Sequence, residues 1–177
     1  MSNRSIFKPM VLAFAFCLVL SGCASYAGSR LKVGISSLDE VVAEMGEPAM
    51  RWKDADGSEQ LAYPRGPDGP HTYMAFVGPD GRLQKIVNVL DMPYFARLEP
   101  GKSDQAAVLR LFGPSVPQWT VYYKARNELV WEWLFCDDTS HLARFDVLFD
   151  GTTGIVRTSF QRPDMRGPDG IVPLCGR

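Results

Sequence analysis

A cysteine thiol stands at the end of a short apolar run, and its surroundings specify its chemistry more sharply than those of any other reactive side chain in the sequence. Met10 to Leu20 is an unbroken apolar stretch of eleven residues, preceded by Arg4 and Lys8 and closed by Leu20-Ser21-Gly22-Cys23. A basic start, a short apolar middle and small residues before a break make an export signal. Eleven residues fall short of the roughly 20 that cross a bilayer as a helix. The expectation is cleavage before Cys23, with residues 1–22 as the signal and Cys23 as the first mature residue.

The other reactive side chains are sparse. The only histidines are His71 and His141. His141 lies near Cys136, Asp137 and Asp138, which are metal-ligand types. No Cys-x-x-Cys or His-x-x-x-His stands beside them, so the stretch reads as a polar hairpin loop and a metal there is the least favoured reading. The sequence has no Gly-x-Ser-x-Gly elbow and no phosphate-cradling Gly-x-x-x-x-Gly-Lys. Gly-Pro-Asp-Gly occurs at 66–69, 78–81 and 167–170. It is turn chemistry, in which Pro presets φ, Asp bonds the local backbone and Gly takes positive φ. No catalytic constellation emerges, and the expectation is a protein that is not an enzyme and carries no cofactor or metal.

The Leu-Ser-Gly-Cys closure resembles the signal of the bacterial lipoprotein class. That resemblance implies a diacylglyceryl group on the Cys23 thiol and a third acyl chain on its amine. Three chains, at about 0.8 kcal/mol per buried CH₂, make release very slow. Ala24 stands where an Asp would retain such a protein in the inner membrane, so the resemblance implies the outer membrane, facing the periplasm. The mature chain would have 155 residues, 17 of them basic and 20 acidic, a formal charge of −3 that gives no reason to expect nucleic acid. Cys136 and Cys175 remain as thiols. An oxidising compartment allows them to pair, and at this spacing pairing and two free thiols both stay open.

These residues need a scaffold, and the sequence contains one twice. Shifted by 67 positions, Leu31, Gly34, Ser36, Val41, Gly46 and Trp52 fall on Leu98, Gly101, Ser103, Val108, Gly113 and Trp119. Further on, Asp80-Gly81 falls on Asp150-Gly151. The expected organisation is a tether at 23–30, repeats at 31–91 and 98–161, and a Gly/Pro-rich tail at 162–177. In the first repeat, Ser37-Leu38-Asp39-Glu40 is a capping box. Leu38, Val41, Val42 and Met45 follow as one helical face, stopped by Gly46 and Pro48. In the second, Ser103 or Asp104 caps a helix whose face is Ala107, Val108, Leu111 and Phe112, stopped by Gly113-Pro114.

After each helix come short strand-like runs: Glu59–Tyr63, His71–Val77 and Arg82–Leu90, then Trp119–Lys124, Leu129–Phe135, His141–Phe149 and Gly154–Phe160. Leu83, Lys85, Val87 and Val89 share one parity. Asp-Gly turns between such runs predict antiparallel meanders. The fold class expected is α+β, two tandem two-layer units, each a short helical segment packed on an antiparallel β-meander. Met92 to Arg97 is too apolar for a free linker, so Tyr94 and Phe95 are expected between the units.

Trp131, Trp133 and Phe135 share one parity and serve as the floor beneath the second helix. Trp119 and Tyr122 fall off that row and are the candidate partner-binding residues, because exposed aromatics anchor protein interfaces.

Gly34-Ile35-Ser36 through Gly46-Glu47-Pro48 with Phe76 to Gly81, and Gly101-Lys102-Ser103 through Gly113-Pro114 with Phe145 to Gly151, together resemble the SmpA/OmlA (BamE-like) family of outer-membrane lipoproteins. The resemblance covers both repeats and implies an accessory of β-barrel protein assembly with a periplasmic or outer-membrane protein partner. Members of that family usually carry one such unit. The tandem form is similar in architecture to secreted β-lactamase inhibitor proteins, which implies an inhibitor or modulator of a periplasmic enzyme as the alternative.

Overall fold

The computed structural model describes residues 27–66, 69–165 and 170–175. The signal segment, Cys23 and two of the three Gly-Pro-Asp-Gly turns, at 66–69 and 167–170, lie wholly or partly outside the described residues.

Helix α1 (Leu38–Met45) starts and stops where its local chemistry directs. The Ser37 hydroxyl accepts from the Glu40 N–H at 3.2 Å, and the Glu40 carboxylate accepts from the Ser37 N–H at 2.7 Å. Gly46, at φ 86°, ends the helix with its N–H on the Val42 carbonyl. A Cβ is disfavoured in that left-handed region. Four strands follow, β1 (Met50–Lys53), β2 (Glu59–Pro64), β3 (Thr72–Val77) and β4 (Leu83–Asn88), paired in chain order as an antiparallel meander. β1 is a strand that the sequence pattern left unassigned, a short edge paired to β2 from Met50↔Ala62 to Lys53↔Glu59.

A short helix α2 (Met92–Phe95) leads to α3 (Gln105–Phe112), which Asp104 caps through the Ala107 N–H and Gly113 ends at φ 73°. The second meander is β5 (Val121–Tyr123), β6 (Glu128–Cys136), β7 (Leu142–Asp150) and β8 (Val156–Pro163). β5 is shorter than the expected 119–124. Pro117 sets a 3-10 turn over Pro117–Trp119, and a second turn, Lys124–Arg126, ends on Asn127 at φ 48°.

The two halves repeat the same backbone bonds. The Gly34 N–H donates to the Leu83 carbonyl and the Leu83 N–H to the Ser36 carbonyl, at 2.7 and 2.8 Å. Gly101 with Val156, and Val156 with Ser103, make the same bonds at 2.8 Å each. The turn correspondence differs from the sequence alignment. Gly81 donates to the Gly78 carbonyl, and in the second half Gly154 donates to the Asp150 carbonyl. Gly78 therefore matches Asp150 and Gly81 matches Gly154, because the second turn closes over one more residue.

Parity also departs from the simple alternation. Val77 pairs with Leu83 while Phe76 pairs with Lys85, so a bulge rotates Leu83 to the opposite face from Val87. Leu83 joins Val41, Met45, Leu61, Tyr63, Ala75 and Val77 beneath α1. Val87 packs against the other core, which contains Ala62 and Met74 from the first sheet together with Val108, Phe112, Trp133, Phe145, Val147 and Phe149 from the second half.

The first sheet is thus covered on both faces, by α1 on one side and by the second half on the other. α3 lies between the sheets. Phe112 meets Trp133 and Phe145 edge-on, at centroid distances of 5.6 and 5.5 Å. On the first sheet's side, Arg110 makes a bidentate pair with Asp54 and lies over Trp52, and Gln60 donates to the Arg110 carbonyl. The two helix-and-sheet layers are stacked as α1, sheet, α3 and sheet, with a shared inner core between the halves.

Candidate functional site

By the logic of that stack, the second sheet's outer face is the one that no α-helix covers among the described residues. The equivalent face of the first sheet is apolar, with Met50, Trp52, Ala62, Met74, Phe76 and Val87 packed under the second half. On the second sheet the matching surface carries charges that alternate with the inner aromatics: Glu132 between Trp131 and Trp133, and Arg144 and Asp146 around Phe145. Arg144 reaches Glu132 at 2.6 Å and Asp164 at 3.0 Å, while Arg162 reaches Asp146 at 2.6 Å and Glu132 at 2.9 Å. Asp146 and Asp164 are almost fully buried. Burial pushes the Asp146 carboxyl above its ordinary range against the pull of Arg162. Ion-paired groups at the end of a layered stack satisfy a face that would otherwise need another layer, as the polar outer faces of capping repeats do. The sequence reading missed this network, although its alternation along β6 and β7 was a readable signal.

Trp119 and Tyr122 do not form one patch. Trp119 is half-buried on that outer face, with the Arg144 guanidinium carbon 4.0 Å from its ring centroid. Tyr122 pairs with Leu129, an inner-face residue, so its ring belongs to the opposite side of the sheet edge. It is 53% exposed. Its hydroxyl donates to Asn127 Oδ1 at 2.7 Å, and Asn127 donates onward to the Thr152 hydroxyl. Its ring lies so close to Gly151 that a Cβ there would stand 2.7 Å from Cε2. This is a rigidly held aromatic, flanked by exposed Val121 and Tyr123 that point to the other face.

Cys136 and Cys175 are joined in a disulfide, with Cα atoms 5.9 Å apart. It fastens the described tail residues to the β6–β7 hairpin, where Leu142 donates to the Pro173 carbonyl and Cys175 to the Ser140 carbonyl. The Cys136 sulfur is consumed by that bond, which removes it as a ligand beside His141. Asp137 Oδ1 accepts from the backbone N–H groups of Thr139 and His141, at 2.9 Å each, which holds its carboxyl below the usual range. That is hairpin chemistry. Among the described residues no group of three or more His, Cys, Asp or Glu is placed to hold a metal ion.

A cavity of about 190 Å³ opens where the halves meet, walled chiefly by Pro64, Leu90, Pro114, Val116 and Trp133. The Trp133 indole nitrogen is buried without a hydrogen-bond partner. Among the described residues its lining carries the Thr72 and Ser115 hydroxyls and no titratable side chain. Elsewhere, His71 stacks on Tyr73 with centroids 6.1 Å apart, and burial lowers its pKa. Among the described residues no helix is long and apolar enough to cross a membrane.

Fold and surface together define a small α+β protein of two four-stranded antiparallel meanders, with an ion-paired end face and one aromatic edge. No family model, curated protein or solved structure matches the chain.

Proposed function

We propose that this chain is an outer-membrane-anchored periplasmic lipoprotein that acts as a non-catalytic binding or scaffold protein, an accessory of outer-membrane β-barrel protein assembly. On this reading it is a tandem of two BamE-like units held by the Cys23 lipid. The Leu20-Ser21-Gly22-Cys23 closure behind a short apolar run carries the localisation. For the binding role the carrying observation is the edge at Val121, Tyr122 and Tyr123. All three side chains are exposed, and Tyr122 is pre-set by its bond to Asn127, so little rotamer entropy is lost when a partner covers it.

The alternative is an inhibitor or modulator of a periplasmic enzyme, which the same exposed edge also suits. Co-purification of the lipidated protein from detergent-solubilised outer membrane separates the two. Recovery of barrel-assembly subunits supports the scaffold, and recovery of a soluble hydrolase in their place overturns it in favour of the inhibitor.

A further inference from the structure

The turn nearest the tether shares its backbone bonds with its twin in the second half and differs from it at its tips. In both halves a serine hydroxyl accepts from a backbone N–H four residues back, Ser36 from Lys32 and Ser103 from Glu99, at 3.1 Å each. In both a central glycine has positive φ and donates to the strand beside it, Gly34 at 78° to Leu83 and Gly101 at 79° to Val156. The second turn carries Pro100 and Lys102 at its tips, and Lys102 pairs with Glu99 at 2.7 Å. The first carries Val33 and Ile35, each 62% exposed. Arg82 pins that tip by donating to the Ile35 carbonyl at 2.6 Å. Two large aliphatic side chains are therefore held out into solvent on a fixed backbone, where the same backbone elsewhere carries polar tips.

The chain's own length says what covers them. Gly28 is buried so tightly that a Cβ would stand 3.0 Å from both Ile86 and Leu31 and 3.2 Å from Met45. Four residues separate it from Cys23, which makes five Cα–Cα steps. At full extension they reach about 17 Å, so an acylated Cys23 holds the Gly28 end of the domain within that distance of the lipid headgroups. We infer that Val33 and Ile35 dock on the bilayer surface and seat the first sheet's turn end against the membrane, leaving the second half to face the periplasm. The inference rests on lipidation at Cys23. Apolar side chains beside a lipid anchor add a second attachment, the condition for a fixed orientation instead of a swinging tether.

The test uses the full lipidated chain carrying Ile35→Cys, which is the one free thiol once Cys23 is acylated and Cys136 is bonded to Cys175. A nitroxide on that thiol is examined in vesicles of phosphatidylethanolamine and phosphatidylglycerol. Glu47→Cys, exposed at the far end of α1, is the matched comparison. The expected result is co-flotation of both variants, with collisions at position 35 favouring oxygen over a water-soluble nickel complex several-fold more than at position 47. Co-flotation with a water-like label at position 35 overturns the docking and leaves the lipoprotein reading intact. Failure of the wild-type chain to float overturns both.

Discussion

Phe95 stacks face to face on Phe145, with ring centroids 3.9 Å apart and planes 9° from parallel. Phe95 ends α2, the connector between the two sheets, and Phe145 lies at the centre of β7. The neighbouring Tyr94 faces the other way, its hydroxyl accepting from Lys85 of the first sheet at 3.1 Å. Adjacent connector residues thus bind the two halves, as their apolar character led one to expect. Phe95→Ala should cost about 3–5 kcal/mol, the range for emptying a buried aromatic site. The denaturation curve should stay a single transition, because α3 also joins the sheets. Two transitions would show that the connector alone couples them.

Gly46 and Gly113 both take positive φ, and Gly113 also faces another element closely. A Cβ at Gly113 would stand 3.0 Å from Thr72 Cγ2 and 3.4 Å from Ala62 Cβ, both on the first sheet. Gly46→Val should lower stability by more than about 1 kcal/mol from backbone strain. Gly113→Val should cost more than that strain alone, by prising α3 off the first sheet. A Gly113→Val stability loss, read from the denaturant midpoint, of no more than about 1 kcal/mol of backbone strain would contradict this placement of α3.

The disulfide closes a separation of 39 residues. Its loss should destabilise by about 2–4 kcal/mol, the usual range for a native bridge. Cys136→Ser and Cys175→Ser should each lower the denaturant midpoint, and reductant should lower the wild-type midpoint to match them. A reductant-insensitive wild type would speak against the bond.

His71 is partly buried, and burial lowers its pKa in the folded chain. The unfolded chain then binds the proton more readily. Its contribution to stability is fully present above the unfolded histidine pKa, about 6.5, and is lost as pH falls from there towards the lower folded value. Denaturant midpoints measured across that window should fall with pH, and His71→Gln should flatten the step. A midpoint that rises on acidification through the window would reverse the assignment.

Trp119 and Tyr122 should behave differently from each other. Trp119→Ala uncovers the Arg144 guanidinium and removes a half-buried ring, at a cost of about 2 kcal/mol. Tyr122→Ala forfeits one exposed hydrogen bond, about 1 kcal/mol, but should weaken capture of the co-purified partner. Calorimetry and pull-down on the two variants read these apart. Undiminished capture by Tyr122→Ala would remove the aromatic edge from the binding surface.

Helix caps, helix stops and strand turns were legible in the sequence because each is made by residues close in the chain. Ser37 with Glu40, Gly46, Gly113 and the antiparallel order of β2 to β4 and β5 to β8 follow from bonds spanning a few positions. The candidate site was legible only in part. Tyr122 is exposed because β5 is the sheet edge and not because it falls off the Trp131 row, whose face it shares through its pairing with Leu129, while Trp119 is covered by Arg144, whose position over it depends on how β7 lies beside the loop that leads into β5.

What the sequence by itself determined is the repeated unit, a short capped helix followed by an antiparallel meander, with the edge strand β1 left to the structure. Tertiary structure alone decided that α3 sits between two sheets, that a bulge turns Leu83 under α1, and that Glu132, Arg144, Asp146, Arg162 and Asp164 gather on the uncovered face. The physical reason is that periodicity records which side of an element is apolar but not which neighbour covers it. Both faces of the first sheet are apolar, and only the packing of the second half against it shows why. The same packing leaves the last sheet face without a helix, and there ion pairs take the place of a further apolar layer.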